Sequence, residues 1–181
     1  IRVMNDYILF PSDRDGHMHL YLYNIDGRFI RQIEKGKYDV DEVYGFDETT
    51  GKTYFQAAAK TPMQREIYVA DKNGKVICLT TKDGWNSAVF SGDYKYFLNN
   101  WSDRNSPYSY AIYNNKGHIV REVLNNDALI KDMAKYDLPT RDFFKFTTSE
   151  GVQLNGWIVK PKNFDPNKKY PVIFFQYSGP G

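Results

Sequence analysis

The residues best placed to do chemistry lie in QYSGPG, residues 176–181. Tyr177 follows the unbroken apolar run VIFF at 172–175 and precedes Gly179, Pro180 and Gly181. A run of that kind suits a central strand covered on both faces, and α/β sheets gather ligands at the carboxyl ends of such strands. A phenol keeps its proton at neutral pH, so Tyr177 can donate to an oxygen on which negative charge develops. The plain alternative is a packing tyrosine in a chain with 15 of them. Ser178 is not a nucleophile candidate: its context is Gln-Tyr-Ser-Gly-Pro, not the Gly-x-Ser-x-Gly of a nucleophile elbow. The Gly-Pro-Gly stretch lets the backbone turn sharply and stay close to a ligand.

Other groups invite weaker readings. His17 and His19 share one face if they lie on a strand, which could begin a metal site. Nothing nearby in sequence completes it and His118 lies in a distant turn, so surface or partly packed histidines are expected. Asp39, Asp41, Glu42, Asp47 and Glu48 crowd DVDEVYGFDETT and read as a solvated loop and sheet edge. In WSDRNSP, Trp101 reads as packing between sheets, and Arg104 as a loop residue with no assigned ligand. Cys78 is the single cysteine, which excludes an internal disulfide. Its setting, VICLT, reads as a small buried hydrophobe. Cysteine usage leaves both a reducing cytoplasm and a bacterial periplasm open.

The elements that must position these groups are mostly strands. Aromatic residues make up 17% of the chain, and such side chains fit pleated, half-buried surfaces. Net charge is +2 with no basic block, so nucleic acid is not an expected partner. The apolar runs are far shorter than the roughly 20 residues a bilayer-spanning helix needs.

Three segments repeat: HLYLYNIDGRFIRQIEKG from His19, EIYVADKNGKVICLTTKDG from Glu66 and SYAIYNNKGHIVREVLNN from Ser109. Each is a strand, a polar turn ending in Gly27, Gly74 or Gly117, and a second strand. The glycines are 47 and 43 residues apart. Further strands precede each hairpin, at Tyr7, Tyr54 and Tyr96, with EVYGFD and SAVFSGD between them. Four strands per period of about 45 residues predict β-propeller blades. The sequence supplies about two and a half of them, the first lacking its innermost strand unless IRVMN provides it.

The pattern breaks near Asn125. NNDALIKDMAKYDLP predicts a helix of about ten residues, capped at Asn125 or Asn126, with Leu129, Ile130 and Met133 apolar and Pro139 stopping it. RDFFKFTTSEG and VQLNGWIVKP then predict a hairpin turning at Ser149-Glu150-Gly151, followed by a Pro- and Lys-rich loop and the apolar run. The expected fold is mainly β: a partial propeller over residues 1–125, a bridging helix over 126–139, and the opening strands of an α/β domain over 140–181.

Blades, then the NDALIKDMAKYDLP helix, an entry hairpin and KKYPVIFFQYSGPG: in that order the chain resembles the dipeptidyl peptidase IV group of the prolyl oligopeptidase superfamily of serine peptidases. KYPV leading into QYSGPG is the most specific part. The resemblance implies a parent with an N-terminal propeller and a C-terminal α/β-hydrolase domain, releasing dipeptides with Pro or Ala in second place. It implies that Tyr177 lines the substrate pocket and stabilises the oxyanion. The nucleophile, acid and base would lie after these residues, so the chain alone would be inactive. No cofactor and no metal are implied. The partners are peptides with a free amino terminus, and the parent is a homodimer. The animal enzymes' propeller cysteines are missing, which points to a bacterial relative that is exported, periplasmic or membrane-associated. The alternatives are a non-catalytic propeller-like binding module and another peptidase of the same superfamily.

Overall fold

The structure is a computed structural model describing residues 1–136 and 138–175. Residues up to Lys135 form one compact unit, and those from Tyr136 a second.

The first unit holds three four-stranded antiparallel sheets, each built from consecutive strands. The first sheet comprises β1 (Arg2–Val3), β2 (Tyr7–Ser12), β3 (His19–Asn24) and β4 (Phe29–Gln32). The second comprises β5 (Val40–Asp47), β6 (Lys52–Ala57), β7 (Glu66–Ala70) and β8 (Val76–Cys78). The third comprises β9 (Trp85–Phe90), β10 (Tyr96–Ser102), β11 (Ser109–Asn114) and β12 (Ile119–Leu124). This is the expected blade pattern, and the count rises from about two and a half to three. Arg2 pairs with Leu9 and Val3 with Ile8, which completes the first blade.

The alternation of apolar residues decides how the sheets stack. One core joins the first two sheets: Leu9, Leu20 and Leu22 meet Val40, Phe46, Phe55 and Tyr68. A second joins the next two: Tyr54, Ile67, Val69 and Leu79 meet Phe97 and Tyr113. Aromatic rings run through this second seam, with Tyr54–Phe90 centroids 4.7 Å apart, Phe90–Phe97 4.8 Å and Phe97–Tyr113 5.1 Å. Such ring pairs add about 0.5–1.5 kcal/mol beyond the area they bury. The middle sheet is thus covered on both faces, and Thr53, Tyr54, Phe55, Gln56 and Ala57 of β6 are all buried.

The first strands of the second and third sheets are each stitched at one point to the segment that leads into the third strand of the sheet before. Val40 donates its N–H to the Met18 carbonyl (2.8 Å), and Asn86 donates to that of Arg65 (2.9 Å). The Arg2 guanidinium donates to the carbonyls of Val43 and Tyr44. Each such bond protects the edge at that point from pairing with other chains.

The hairpins β3–β4, β7–β8 and β11–β12 share one turn. Gly27, Gly74 and Gly117 have φ of 81°, 83° and 84°, and each donates its N–H to the carbonyl three residues back, on Asn24, Asp71 or Asn114. The side-chain oxygen of that Asn or Asp then accepts the N–H of Arg28, Lys75 or His118. Positive φ is what glycine supplies cheaply.

The helix α1 (Asp127–Met133) is shorter than expected. Asn126 occupies the cap position at φ 59° with no side-chain cap bond, because its amide donates instead to the Tyr108 carbonyl. Asp127 donates its N–H to the Asn125 side chain (3.2 Å).

In the second unit, β13 (Arg141–Thr147) and β14 (Gln153–Val159) form the expected hairpin, with Gly151 at φ 82°. Residues 172–175 differ from expectation. They form no strand, and Ile173 and Phe174 are 95% and 91% exposed. A strand needs a hydrogen-bonded neighbour, and no strand of the described residues lies alongside.

The turn glycines separate two costs. A Cβ on Gly27 meets nothing within 4 Å, whereas one on Gly117 comes 2.7 Å from the Leu79 carbonyl oxygen. Gly27→Ala should therefore cost about 1–2 kcal/mol in urea unfolding, the left-handed backbone alone. Gly117→Ala should cost clearly more. Equal losses would show that the contact with Leu79 relaxes freely.

Candidate functional site

Tyr177 and Ser178 lie outside the described residues. The polar chemistry of the described residues gathers where β3 and β7 begin.

His19 opens β3 and is 2% exposed, so the expectation of a surface or partly packed histidine is corrected. Its Nδ1 lies 2.8 Å and 3.0 Å from the two carboxyl oxygens of Glu34, and its Nε2 lies 3.2 Å from the Gly36 carbonyl oxygen. Both ring nitrogens face oxygen, so the pair must hold a proton on each of these contacts. Glu34 is 1% exposed, and burial raises its carboxyl above the ordinary value while His19 pulls the other way. Glu34 also accepts the Leu20 N–H (3.1 Å). The Tyr38 ring meets His19 edge-on at 5.8 Å, and a Cβ on Gly36 would come 2.0 Å from that ring. Gly36 is therefore needed for close approach. His17 turns to Asp39 instead, 3.6 Å away. Each histidine thus has its own carboxylate.

Glu66 opens β7 at the equivalent place, eight residues before its turn glycine, as His19 is. Its side chain is fully buried. One carboxyl oxygen accepts the Tyr68 hydroxyl (3.1 Å), and the other has no hydrogen bond and lies 3.9 Å from Lys60 Nζ. Lys60 itself pairs with Asp83 at 3.0 Å. Cys78 is exposed on the edge strand β8, correcting the buried reading, and its thiol donates to the Thr80 carbonyl at 3.2 Å.

The acidic stretch divides. Asp41 forms a half-buried ion pair with Arg65 at 2.7 Å, and Asp39 accepts the Met18 N–H at 2.6 Å, so these two are not simply solvated. Asp47 accepts the N–H groups of Thr49 and Thr50 in an exposed turn. Trp101 of β10 meets the loop that leads from the second sheet into the third: its indole donates to the Asp83 carbonyl (2.9 Å), with Lys82 Nζ 4.7 Å from the ring centre.

Sequence reasoning missed the buried amide network of Gln56, Asn86 and Asn99. Gln56 donates to the Asn86 carbonyl, Asn99 donates to the Asn86 side chain (3.0 Å), and Asn86 donates to the carbonyls of Arg65 and Lys82. Amides at apolar-facing strand positions were the available signal. Among the described residues no three His, Cys, Asp or Glu side chains are placed to hold a metal ion. The groups above are engaged by neighbouring strands and loops, the Gln56–Asn86 contact running between two sheets, and none forms a nucleophile–base pair.

Three stacked four-stranded blades, a short helix and a separate hairpin unit define a partial β-propeller leading into a second domain. The chain belongs to the dipeptidyl peptidase IV family: residues 2–108 match the model of the dipeptidyl peptidase IV (DPP IV) N-terminal region. It is 33% identical to a dipeptidyl peptidase 4 of Arthroderma otae over 97% of this chain, and spans 23% of that relative's length. The solved dipeptidyl peptidase 4 of Porphyromonas gingivalis matches with a TM-score of 0.86 at 34% identity, over 91% of this chain and 24% of that one. A putative dipeptidyl aminopeptidase IV from Bacteroides ovatus shares the fold, with a TM-score of 0.76 at 22% identity over 92% of this chain and 26% of that one.

The buried carboxylate of Glu66 carries a pH test. Burial raises its pKa above the ordinary 4.5, with Tyr68 and Lys60 opposing. A carboxyl whose folded value is raised adds stability below the unfolded value and loses it as pH climbs through the folded one. Wild-type stability should therefore fall relative to Glu66→Gln between pH 4.5 and 7. Parallel unfolding curves at the two pH values would mean the charged carboxylate is fully compensated.

Proposed function

We propose that this chain is part of a serine exopeptidase that releases Xaa-Pro or Xaa-Ala dipeptides from peptides with a free amino terminus. Family membership, together with KYPV leading into QYSGPG, supports this reading. Residues 1–125 are the last blades of the parent's propeller, 126–139 its bridge, and 140–181 the opening of its α/β-hydrolase domain. The propeller restricts access to narrow, unfolded peptides.

The chemistry is acyl transfer without metal or organic cofactor. The parent's serine oxygen attacks the scissile carbonyl, its proton passes to a histidine, and negative charge collects on the carbonyl oxygen. Tyr177 lines the pocket and donates its hydroxyl to that oxygen. A fixed donor there is worth roughly 3–4 kcal/mol, because it needs no reorganisation as charge develops. The nucleophile, acid and base come from elsewhere in the parent. A homodimeric parent exported from a bacterial cell, periplasmic or membrane-associated, completes the reading.

Tyr177→Phe in the full-length parent should lower kcat by about two to three orders of magnitude with folding unchanged. An unaltered kcat removes Tyr177 from the mechanism. The parent should cleave Gly-Pro substrates and leave amino-blocked ones intact; cleavage of blocked peptides favours a different member of the superfamily. The 181-residue chain alone should show no turnover on either.

A further inference from the structure

We propose that a cavity of about 270 Å3 between the first strands of the three blades binds an extended peptide segment, which adds to the open edge of β9 and places a carboxylate on Arg2. Its wall combines Arg2 of β1, Tyr44 of β5, Val89 and Phe90 of β9, and Tyr94 of the following turn.

The backbone of β9 sets the direction. Ser91 donates its N–H to the Tyr96 carbonyl at 2.9 Å, so that pair is hydrogen-bonded. Antiparallel ladders alternate, and the next pair, Phe90 with Phe97, is therefore the non-bonded kind. The N–H and C=O of Phe90 thus point away from β10, to the open edge. Asn86 and Ala88 have the same parity. Their N–H groups at that edge are taken by the Arg65 carbonyl (2.9 Å) and the Tyr44 hydroxyl (3.1 Å). Phe90 is the next step in this series and borders the cavity. Extended peptides recognise such edges through main-chain bonds.

Charge fixes the occupant. Arg2 is the only charged residue lining the cavity among the described residues. Two of its five donors hold the carbonyls of Val43 and Tyr44, which orients the exposed guanidinium and leaves the rest of the fork for a carboxylate. The nearby acids already have partners: Glu42 faces the Tyr44 hydroxyl, and Asp93 pairs with Lys95 at 3.1 Å. Tyr44, Phe90 and Tyr94 supply ring faces for the peptide's side chains, beside Val89, which is 71% exposed.

Tyr94 shows that this wall is built. It holds φ of 54°, a left-handed conformation unusual for a bulky residue, and stacks on Tyr54 at 5.2 Å with rings 6° from parallel. Its hydroxyl sits against Gly45, where a Cβ would come within 2.0 Å. Strain kept in place by packing clusters at ligand-binding sites.

The test uses N-acetyl-Val-Thr-Val-Thr-Val with a free carboxylate, and its C-terminal amide, on the full-length protein. The blocked amine keeps both from serving as dipeptidyl substrates, so binding here stands or falls apart from the peptidase reading. The acid should slow amide hydrogen exchange over residues 86–92 and bind about two- to five-fold more tightly than the amide, the worth of one screened ion pair. Arg2→Gln should erase that preference and Arg2→Lys keep part of it. Unchanged exchange over 86–92, equal affinity of the two peptides, or a preference that survives Arg2→Gln would each overturn the proposal.

Discussion

A four-stranded sheet with apolar residues on its faces has no stable existence in water until another sheet covers it, and this constraint shapes the whole first unit. The middle blade meets it twice: Phe55 and Tyr68 pack towards the first blade, Tyr54 and Ile67 towards the third. Each large side chain so buried contributes about 1.5–3 kcal/mol. An exposed ion pair such as Asp93–Lys95 contributes less than about 1 kcal/mol. The seams therefore hold the blades together, and the polar contacts decide how they register. The outer blades show the same rule from the other side, since Val120 and Val123 of β12 stay more than half exposed.

Polar groups enter the seams only where backbone groups would otherwise be stranded. When β4 and β8 leave their sheets, the strand beside each loses its next ladder partner. Glu34 Oε1 then accepts the Leu20 N–H, and Thr80 Oγ1 accepts that of Ile67. Ile33 and Leu79, the residues just before, return their N–H groups to the Leu20 and Ile67 carbonyls. A side chain thus finishes what the strand leaves undone, which is cheaper than an unpaired buried N–H at about 1–3 kcal/mol.

Much of this was legible in the sequence, and the reasons are local. The strand periods and the glycines at 27, 74 and 117 announced the hairpins, because alternation and positive φ are properties of a few adjacent residues. The remainder depended on distant partners. Arg2–Val3 is too short to show a period, and only its pairing with Ile8 and Leu9 makes it a strand. His19 looked accessible because Glu34, 15 residues away, is not visible as its partner until β3 and β4 pair. The runs around Cys78 and over 172–175 carry the same apolar signal as buried strands. Burial, however, belongs to the covering element, which the edge strand β8 and residues 172–175 lack among the described residues. The family resemblance rests on the order of elements, blades included, and most specifically on KYPV leading into QYSGPG.

The repeat explains why the blades alone were poor guides to function. His19, Glu66 and Ser109 occupy one position in three blades, yet one is paired with a carboxylate, one is a buried acid beside a lysine, and one is a small hydroxyl residue. Likewise Glu34 and Thr80 do the same backbone task with and without charge. What the repeat demands there is a side-chain oxygen, and the acid of Glu34 and the hydroxyl of Thr80 both meet that demand. Charge at these positions is free to vary without loss of the blade. Chemistry read from a single buried His or Glu in a repeat is thus weak evidence of a reaction. A residue outside the repeat, such as Tyr177, owes nothing to that demand, and this is why the functional reading rests there.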